Sequence, residues 1–213
     1  MESKSDRLKV NYAIFPNLVF FNNLASMKRH FNTHLEGLDL QFWHDLIESR
    51  GKLVSLKKGE YLCRKGEPTN ACGYVKSGYF KYTVDGTNKI GGFAFPEALV
   101  GDYPSCMNNA NAMFDIVAGK KSEAWIIDAT ILPQLFEEDI EAQRQGLLFM
   151  QSAYVSLAKR YYALYAKTAR ERYIDLINEH PQIEQDVPQK EIAAYLQIDP
   201  ITLCRIKKAL LKQ

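Results

Sequence analysis

Long apolar runs are missing from this sequence. No stretch reaches the ~18 residues that a membrane-spanning helix requires. The pieces at Ile14, Phe15 and Leu18 to Phe21 are short and interrupted by Asn and Pro, and Met1 to Val10 are polar and charged. No secretion signal is read from them, and a cytoplasmic location without membrane contact is expected. Cysteine is scarce: Cys63, Cys72, Cys106 and Cys204 form no CxxC pair and have no His at metal-ligand spacing. Reduced, mostly buried thiols are expected, with no metal. Charge of one sign is also lacking, because 27 Lys and Arg stand against 25 acidic residues. Whole-chain charge therefore makes no case for a polyanion partner. Nucleophile elbow, P-loop, HExxH and dinucleotide fingerprint are all absent, so no enzymatic chemistry is expected.

What is present is globular, with 12 Tyr and 11 Phe available to fill a core. The first ~30 residues read as a leader whose role is not legible. Asp39–Ser49 places Leu40, Trp43, Leu46 and Ile47 on one face of a short helix. From Leu53 to Ile127, β-branched and aromatic runs alternate with turn signals at Lys58-Gly59, Lys65-Gly66, Ser77-Gly78, Asp85-Gly86 and Gly91-Gly92. That punctuation predicts a small antiparallel barrel or jelly roll. Asp85-Gly86, between Phe80–Val84 and Lys89–Phe95, is its clearest hairpin.

After Ile127 the period becomes helical. Ile140, Leu147, Tyr154 and Tyr161 fall at one heptad position, and Gln143, Met150, Leu157 and Leu164 at the other. Only Gln143 breaks the apolar seam, so one long helix is predicted to pair with its own kind in a homodimer. Leu148, Phe149 and Val155 are expected to face the barrel. Thr168-Ala169-Arg170-Glu171 restarts a helix with Tyr173, Leu176 and Ile177 inward, and it stops before His180-Pro181. The expected division is residues 1–137 as leader plus β-rich sensory domain, 138–166 as dimerisation helix, and 167–213 as the C-terminal domain.

Gln189–Lys208 reads as a helix-turn-helix. Ile192 and Leu196 point inward from the first helix, and Ala193 is small where the second must cross. Ile198 plugs the turn, and Leu203 and Ile206 face inward from the second helix. Asp199 is its N-cap and Pro200 its first helical residue. Gln197 stands where Gly is usual, and it is expected to adopt a left-handed backbone. The outward face, Ile201, Thr202, Cys204, Arg205 and Lys208, suits a major groove of double-stranded DNA. Ile201, Arg205 and Lys208 are assigned to bases, with Gln189, Lys190 and Thr202 on phosphates. Local charge agrees: from Thr202 to Gln213 there are four basic residues and no acidic one.

From about Leu38 onward the sequence resembles the Crp/Fnr superfamily of transcription regulators, in its Bacteroidetes-type branch. The resemblance rests on Lys58-Gly59-Glu60 through Lys65-Gly66-Glu67, on Tyr74-Val75-Lys76-Ser77-Gly78, and on Val187-Pro188-Gln189-Lys190-Glu191-Ile192-Ala193. It implies an α+β chain with a double-stranded β-helix, cyclic-nucleotide-binding-like domain, a long dimerisation helix and a winged-helix-like helix-turn-helix. It also implies a homodimer on a two-fold symmetric operator, with RNA polymerase as a further partner. Departures bear on the ligand. The family's Gly-Glu-Leu segment, whose Glu holds the ribose of cyclic AMP, is Gly101-Asp102-Tyr103 here, and its Arg-Ser pair is Ala112-Met113. Those five residues are the expected effector pocket. Without a guanidinium to neutralise a buried phosphate, cyclic AMP is disfavoured and the effector is unidentified. The cysteine cluster of the oxygen-sensing branch is missing, and His30, His34, His44 and His180 lie outside the barrel strands. The wing hairpin is expected to be abbreviated, because only Gln182–Val187 precedes the motif. The competing reading is a signalling module that binds a small molecule or protein and whose C-terminal helices are structural. Salt-dependent DNA affinity separates the two.

Overall fold

The computed structural model describes residues 38–84 and 89–211. The leader before Leu38, the Asp85-Gly86 turn and Lys212 lie outside them. Asp39 caps the first helix, α1 (Leu40–Arg50), by accepting from the Phe42 amide, and Trp43 and Ile47 are buried from it. Eight strands follow: β1 (Lys52–Leu56), β2 (Tyr61–Cys63), β3 (Ala71–Ser77), β4 (Phe80–Thr83), β5 (Ile90–Ala94), β6 (Leu99–Gly101), β7 (Asp115–Ala118) and β8 (Ser122–Asp128). They form two antiparallel sheets ordered β1-β8-β3-β6 and β2-β7-β4-β5, which is a jelly roll. β4 and β5 pair as the expected hairpin, Phe80 opposite Ala94. Gly78 turns the chain between β3 and β4 at φ 79°, where a Cβ would meet the Ser122 hydroxyl at 2.2 Å. No other residue fits there. Val75, Phe80, Ala94, Ile116, Ala118 and Ala124 fill the interior between the sheets.

Between β6 and β7 lies a five-residue helix, α2 (Tyr103–Met107). After β8 come α3 (Leu132–Glu138) and the long α4 (Ile140–Ala166), capped by Asp139. Leu148 and Phe149 pack with Trp43, Ile47 and Leu135 against the roll as expected, whereas Val155 is exposed. Val155 sits nearly two turns further along, beside the exposed seam. Thr168 and Glu171 form a reciprocal capping box that opens α5 (Ala169–Glu179), and Tyr173 and Leu176 are its buried residues. A helical turn, α6 (Ile183–Asp186), occupies the place of the wing, and no strand follows β8 among the described residues. α7 (Gln189–Leu196) and α8 (Pro200–Leu210) complete the chain.

One packing relation is invisible in the sequence pattern. Tyr79, Ile90 and Phe93 from the roll share a buried cluster with Tyr173, Leu176, Ile192, Leu196 and Leu203 from the C-terminal helices. Burying Ile90 and Phe93 stabilises this dock by about 1.5–3 kcal/mol each relative to exposure. The C-terminal unit is therefore seated on the roll.

Candidate nucleic-acid interface and sensory cavity

The angle between α7 and α8 is made locally. Gln197 has φ 55° and ψ 46°, the left-handed backbone expected of it. Its amide donates to the Ala194 carbonyl, and the Ile198 amide reaches back to Ala193. These two bonds close a Schellman motif and satisfy carbonyls at the end of α7. Two residues later, the Asp199 carboxylate accepts from the Thr202 amide at 2.9 Å and from the Thr202 hydroxyl at 2.6 Å. Pro200 opens α8 where no amide is needed. Ile192, Ala193, Leu196 and Leu203 are buried, with Ile198 and Ile206 packed on them.

This leaves a stripe on α8. Ile201 is 65% exposed, and Cys204, Arg205 and Lys208 are exposed along the same face. Arg205 and Lys208 have no hydrogen-bond or ion-pair partner among the described residues, whereas Lys207 turns away to Glu184 at 2.7 Å. Gln189 and Lys190 stand exposed at the start of α7, whose first turn has no side-chain cap. Thr202 is placed differently from the others. It is half-buried, and its hydroxyl proton is given to Asp199, so its first role is to hold the cap.

Three contacts that periodicity did not signal hold this unit in place. Arg172 donates to the carbonyls of Lys167, at 2.7 Å, and Leu196, at 2.9 Å, tying α5 to the end of α7. Glu191 of α7 lies 2.6 Å from Lys81 Nζ and accepts from the Tyr79 hydroxyl at 3.0 Å, both from the roll. Arg160 of α4 donates to Ile90 O and Tyr195 O and lies 3.7 Å over the Tyr195 ring. Apart from the bond to Lys167, each joins residues more than twenty positions apart, which is why local pattern is silent about them.

The seam of α4 faces outward. Ile140 is 80% exposed, Tyr154 72% and Leu157 68%, with Leu147, Met150 and Tyr161 also exposed and Leu164 partly covered. Seven large apolar side chains along one helix with so little cover constitute an unpartnered face.

The five residues expected to wall an effector pocket do not converge. Gly101 and Tyr103 line a cavity of about 320 Å³ bounded by Trp43, Tyr82, Phe93 and Leu99 on the roll side and by Phe149, Ser152 and Leu157 on α4. Ala112 is buried in the roll, and Met113 is 62% exposed. Asp102 is fully buried and committed: it accepts from Ser105 Oγ at 2.8 Å, from the Ser105 amide at 3.3 Å and from the Met113 amide at 2.7 Å. It caps α2 and pins the segment after it. The Asp102 carboxylate is thus spent internally, and neither Ala112 nor Met113 carries a charge. Among the described residues Arg160 is the one cation lining the cavity, and it donates to Ile90 O and Tyr195 O.

His44 is also occupied. Its ring stacks on Tyr74 at 4.0 Å, and His180 ends α5, while His30 and His34 lie outside the described residues. A third cysteine joins Cys63 and Cys72 near the roll, because Cys106 of α2 packs beside Cys72 in the same cluster. Among the described residues no group of three or more His, Cys, Asp or Glu side chains is arranged to hold a metal ion, and no helix is long and apolar enough to cross a membrane.

Residues 53–139 match the family model of the cyclic nucleotide-binding domain. No curated protein sequence matches the chain. Among solved structures the chain is similar to FixK2 from Bradyrhizobium japonicum, at 17% identity and a TM-score of 0.66, over 76% of this chain and 85% of that one. It is similar to the c-di-GMP responsive global regulator CLP of Xanthomonas campestris, at 15% identity and a TM-score of 0.60, over 82% and 92%. A transcriptional regulator of the Crp/Fnr family from Eubacterium rectale aligns at 18% identity and a TM-score of 0.61, over 83% and 85%. At these identities the shared property is the fold, from the roll through the C-terminal helices.

Proposed function

We propose, from a fold shared with the Crp/Fnr regulators, that this chain is a DNA-binding transcription regulator. It works as a homodimer on a two-fold symmetric operator, with an effector other than cyclic AMP or with none. The observation that carries the reading is the α7–α8 bracket, whose outward stripe holds Ile201, Arg205 and Lys208 with both cations unpaired among the described residues. Arg205 would read guanine, Ile201 a thymine methyl, and Gln189 and Lys190 would position the domain on phosphates. The exposed seam of α4 supports the dimer, since burying Leu147, Tyr154, Leu157 and Tyr161 against a second copy covers an apolar face that water would otherwise contact.

Selection of duplexes from genomic fragments, followed by fluorescence anisotropy across a salt series, tests this. Affinity should fall steeply with salt. Arg205→Ala should weaken the selected site about tenfold or more, corresponding to ~1–3 kcal/mol of base discrimination. Lys190→Ala should weaken all sequences alike and lower the salt slope by about one. A purified dimer that ignores duplex DNA at low salt overturns the proposal and favours the signalling module.

A further inference from the structure

Cys72 and Cys106, 34 residues apart in sequence, meet in the core between α1, β3, α2 and α3, with their sulfurs 3.6 Å apart. Closing them to a disulfide's ~2.05 Å requires a relative shift of about 1.5 Å. Cys72 sits on the central strand β3, but Cys106 rides on α2, a five-residue helix hinged between Gly101, at φ 146°, and Asn109, at φ 48°. Cys72 also lines the 320 Å³ cavity, which is partly open to solvent and wide enough for a small neutral oxidant. The third core thiol, Cys63, points elsewhere and donates to Phe114 O.

We infer that Cys72 and Cys106 are a reversible oxidation site, a dithiol that hydrogen peroxide converts to a disulfide and small thiols restore. The thiolate form of one of the two sulfurs attacks the peroxide. It takes one peroxide oxygen as the O–O bond breaks, and the departing hydroxide collects the thiol's proton as water. The other thiol then attacks the sulfur of the sulfenic acid, the S–O bond breaks, and the hydroxyl leaves with the second thiol's proton as a second water. Two thiols and one peroxide become one disulfide and two waters.

The consequence is carried by Tyr103. Its ring meets the Phe149 ring of α4 edge-on at 5.1 Å, so drawing α2 toward β3 shifts a contact on the long helix. An oxidant would in this way be transmitted from the roll to α4. That last link, to DNA, rests on the function proposed above, and the disulfide itself does not.

The test uses the full chain. Exposed Cys204 is first blocked with N-ethylmaleimide under native conditions. Hydrogen peroxide follows, then denaturation, a second alkylating reagent of different mass, and peptide mass spectrometry. The expected result is a linked Cys72–Cys106 peptide pair, two hydrogens lighter than the free peptides, that dithiothreitol reverses and that is absent from Cys72→Ser and Cys106→Ser. The oxidised dimer should differ from the reduced one by at least about fivefold in affinity for its selected duplex. Recovery of both cysteines as free thiols or as sulfinic acids overturns the inference, as does a Cys63–Cys106 pair. The wild-type measurement decides this even if a variant fails to fold. A link that forms without changing affinity refutes the transmission to α4, and a link formed in a protein that binds no DNA leaves the site standing while the proposed function falls.

Discussion

Replacing Asp102 decides whether this buried carboxylate serves the fold or a ligand. Asp102→Ala removes the acceptor for two donors on Ser105, itself buried, and for the amide of Met113. Met113 is exposed, so water can serve its amide once the pinning bond is gone. The Ser105 amide and hydroxyl are not so placed, and each buried donor left unmatched costs about 1–3 kcal/mol. The variant should therefore lose about 2–5 kcal/mol, which for a chain of this size lowers Tm by about 5–15 °C. Asp102→Asn keeps one carbonyl oxygen but presents an amide to donors, and should fall in between. The two tryptophans, Trp43 in α1 and Trp125 in β8, both report on the roll, so urea unfolding followed by their fluorescence reads the right unit. A variant within about 0.5 kcal/mol of the parent, the scale of an ordinary surface change, would refute the capping argument.

Gln197→Gly should raise stability by about 0.5–1 kcal/mol, because glycine relieves the left-handed backbone that Gln197 now holds; calorimetry that shows destabilisation would contradict the strain. The Asp199 carboxyl is held below the ordinary carboxylate range by donation from the Thr202 hydroxyl and amide. A depressed folded value means the cap contributes fully above the unfolded pKa near 4 and is lost as pH falls through the folded one. Asp199→Asn should remove this acid sensitivity while keeping the cap, as followed by circular dichroism between about pH 5 and 2. Tyr154→Glu with Leu157→Glu should convert a dimer to a monomer in sedimentation experiments, since like charges would face one another across the seam. A dimer that survives the pair would place the interface elsewhere.

The parts of this molecule that sequence reveals are those where cause and effect sit within a few residues. Asp199, Pro200 and Thr202 define the start of α8 by themselves, and Gln197 must turn left-handed because α7 and α8 leave it no alternative. The Thr168–Glu171 capping box and the stop at His180-Pro181 are equally local. The seam of α4 is legible because a 3.5-residue repeat survives without knowledge of what it faces. What a pattern cannot name is the opposite surface. Tyr79, Ile90 and Phe93 read as strand core, yet they are shared with Ile192 and Leu203, more than ninety residues away. Asp102 shows how position differs from partner. Resemblance placed it beside a ligand, and only coordinates reveal that Ser105 and Met113 already occupy its oxygens. Cys106 was passed over for the same reason, since nothing in the spacing of 34 residues indicates a 3.6 Å approach.

These non-local contacts converge on one helix. Arg160 of α4 ties the edge of the roll, through Ile90 O, to the carbonyl and ring of Tyr195 in α7. Glu191, one turn earlier on α7, is held by Lys81 and Tyr79 of the roll. Hydrogen bonds to charged groups contribute about 1.5–3 kcal/mol each when well shielded, so these two attachments bias the seated arrangement by a few kcal/mol. A bias of that size changes a two-state population about a hundredfold, and it adds to the apolar dock of Ile90 and Phe93. Beyond Arg160 a hollow of about 540 Å³ lies between α4, α5 and α7, beside Lys167, whose extended backbone separates α4 from α5. Phe149, which meets Tyr103 of α2, stands three helical turns before Arg160 on the same helix. α7 is therefore held by two charged side chains, Arg160 and Lys81, as well as by the apolar cluster it shares with Ile90 and Phe93.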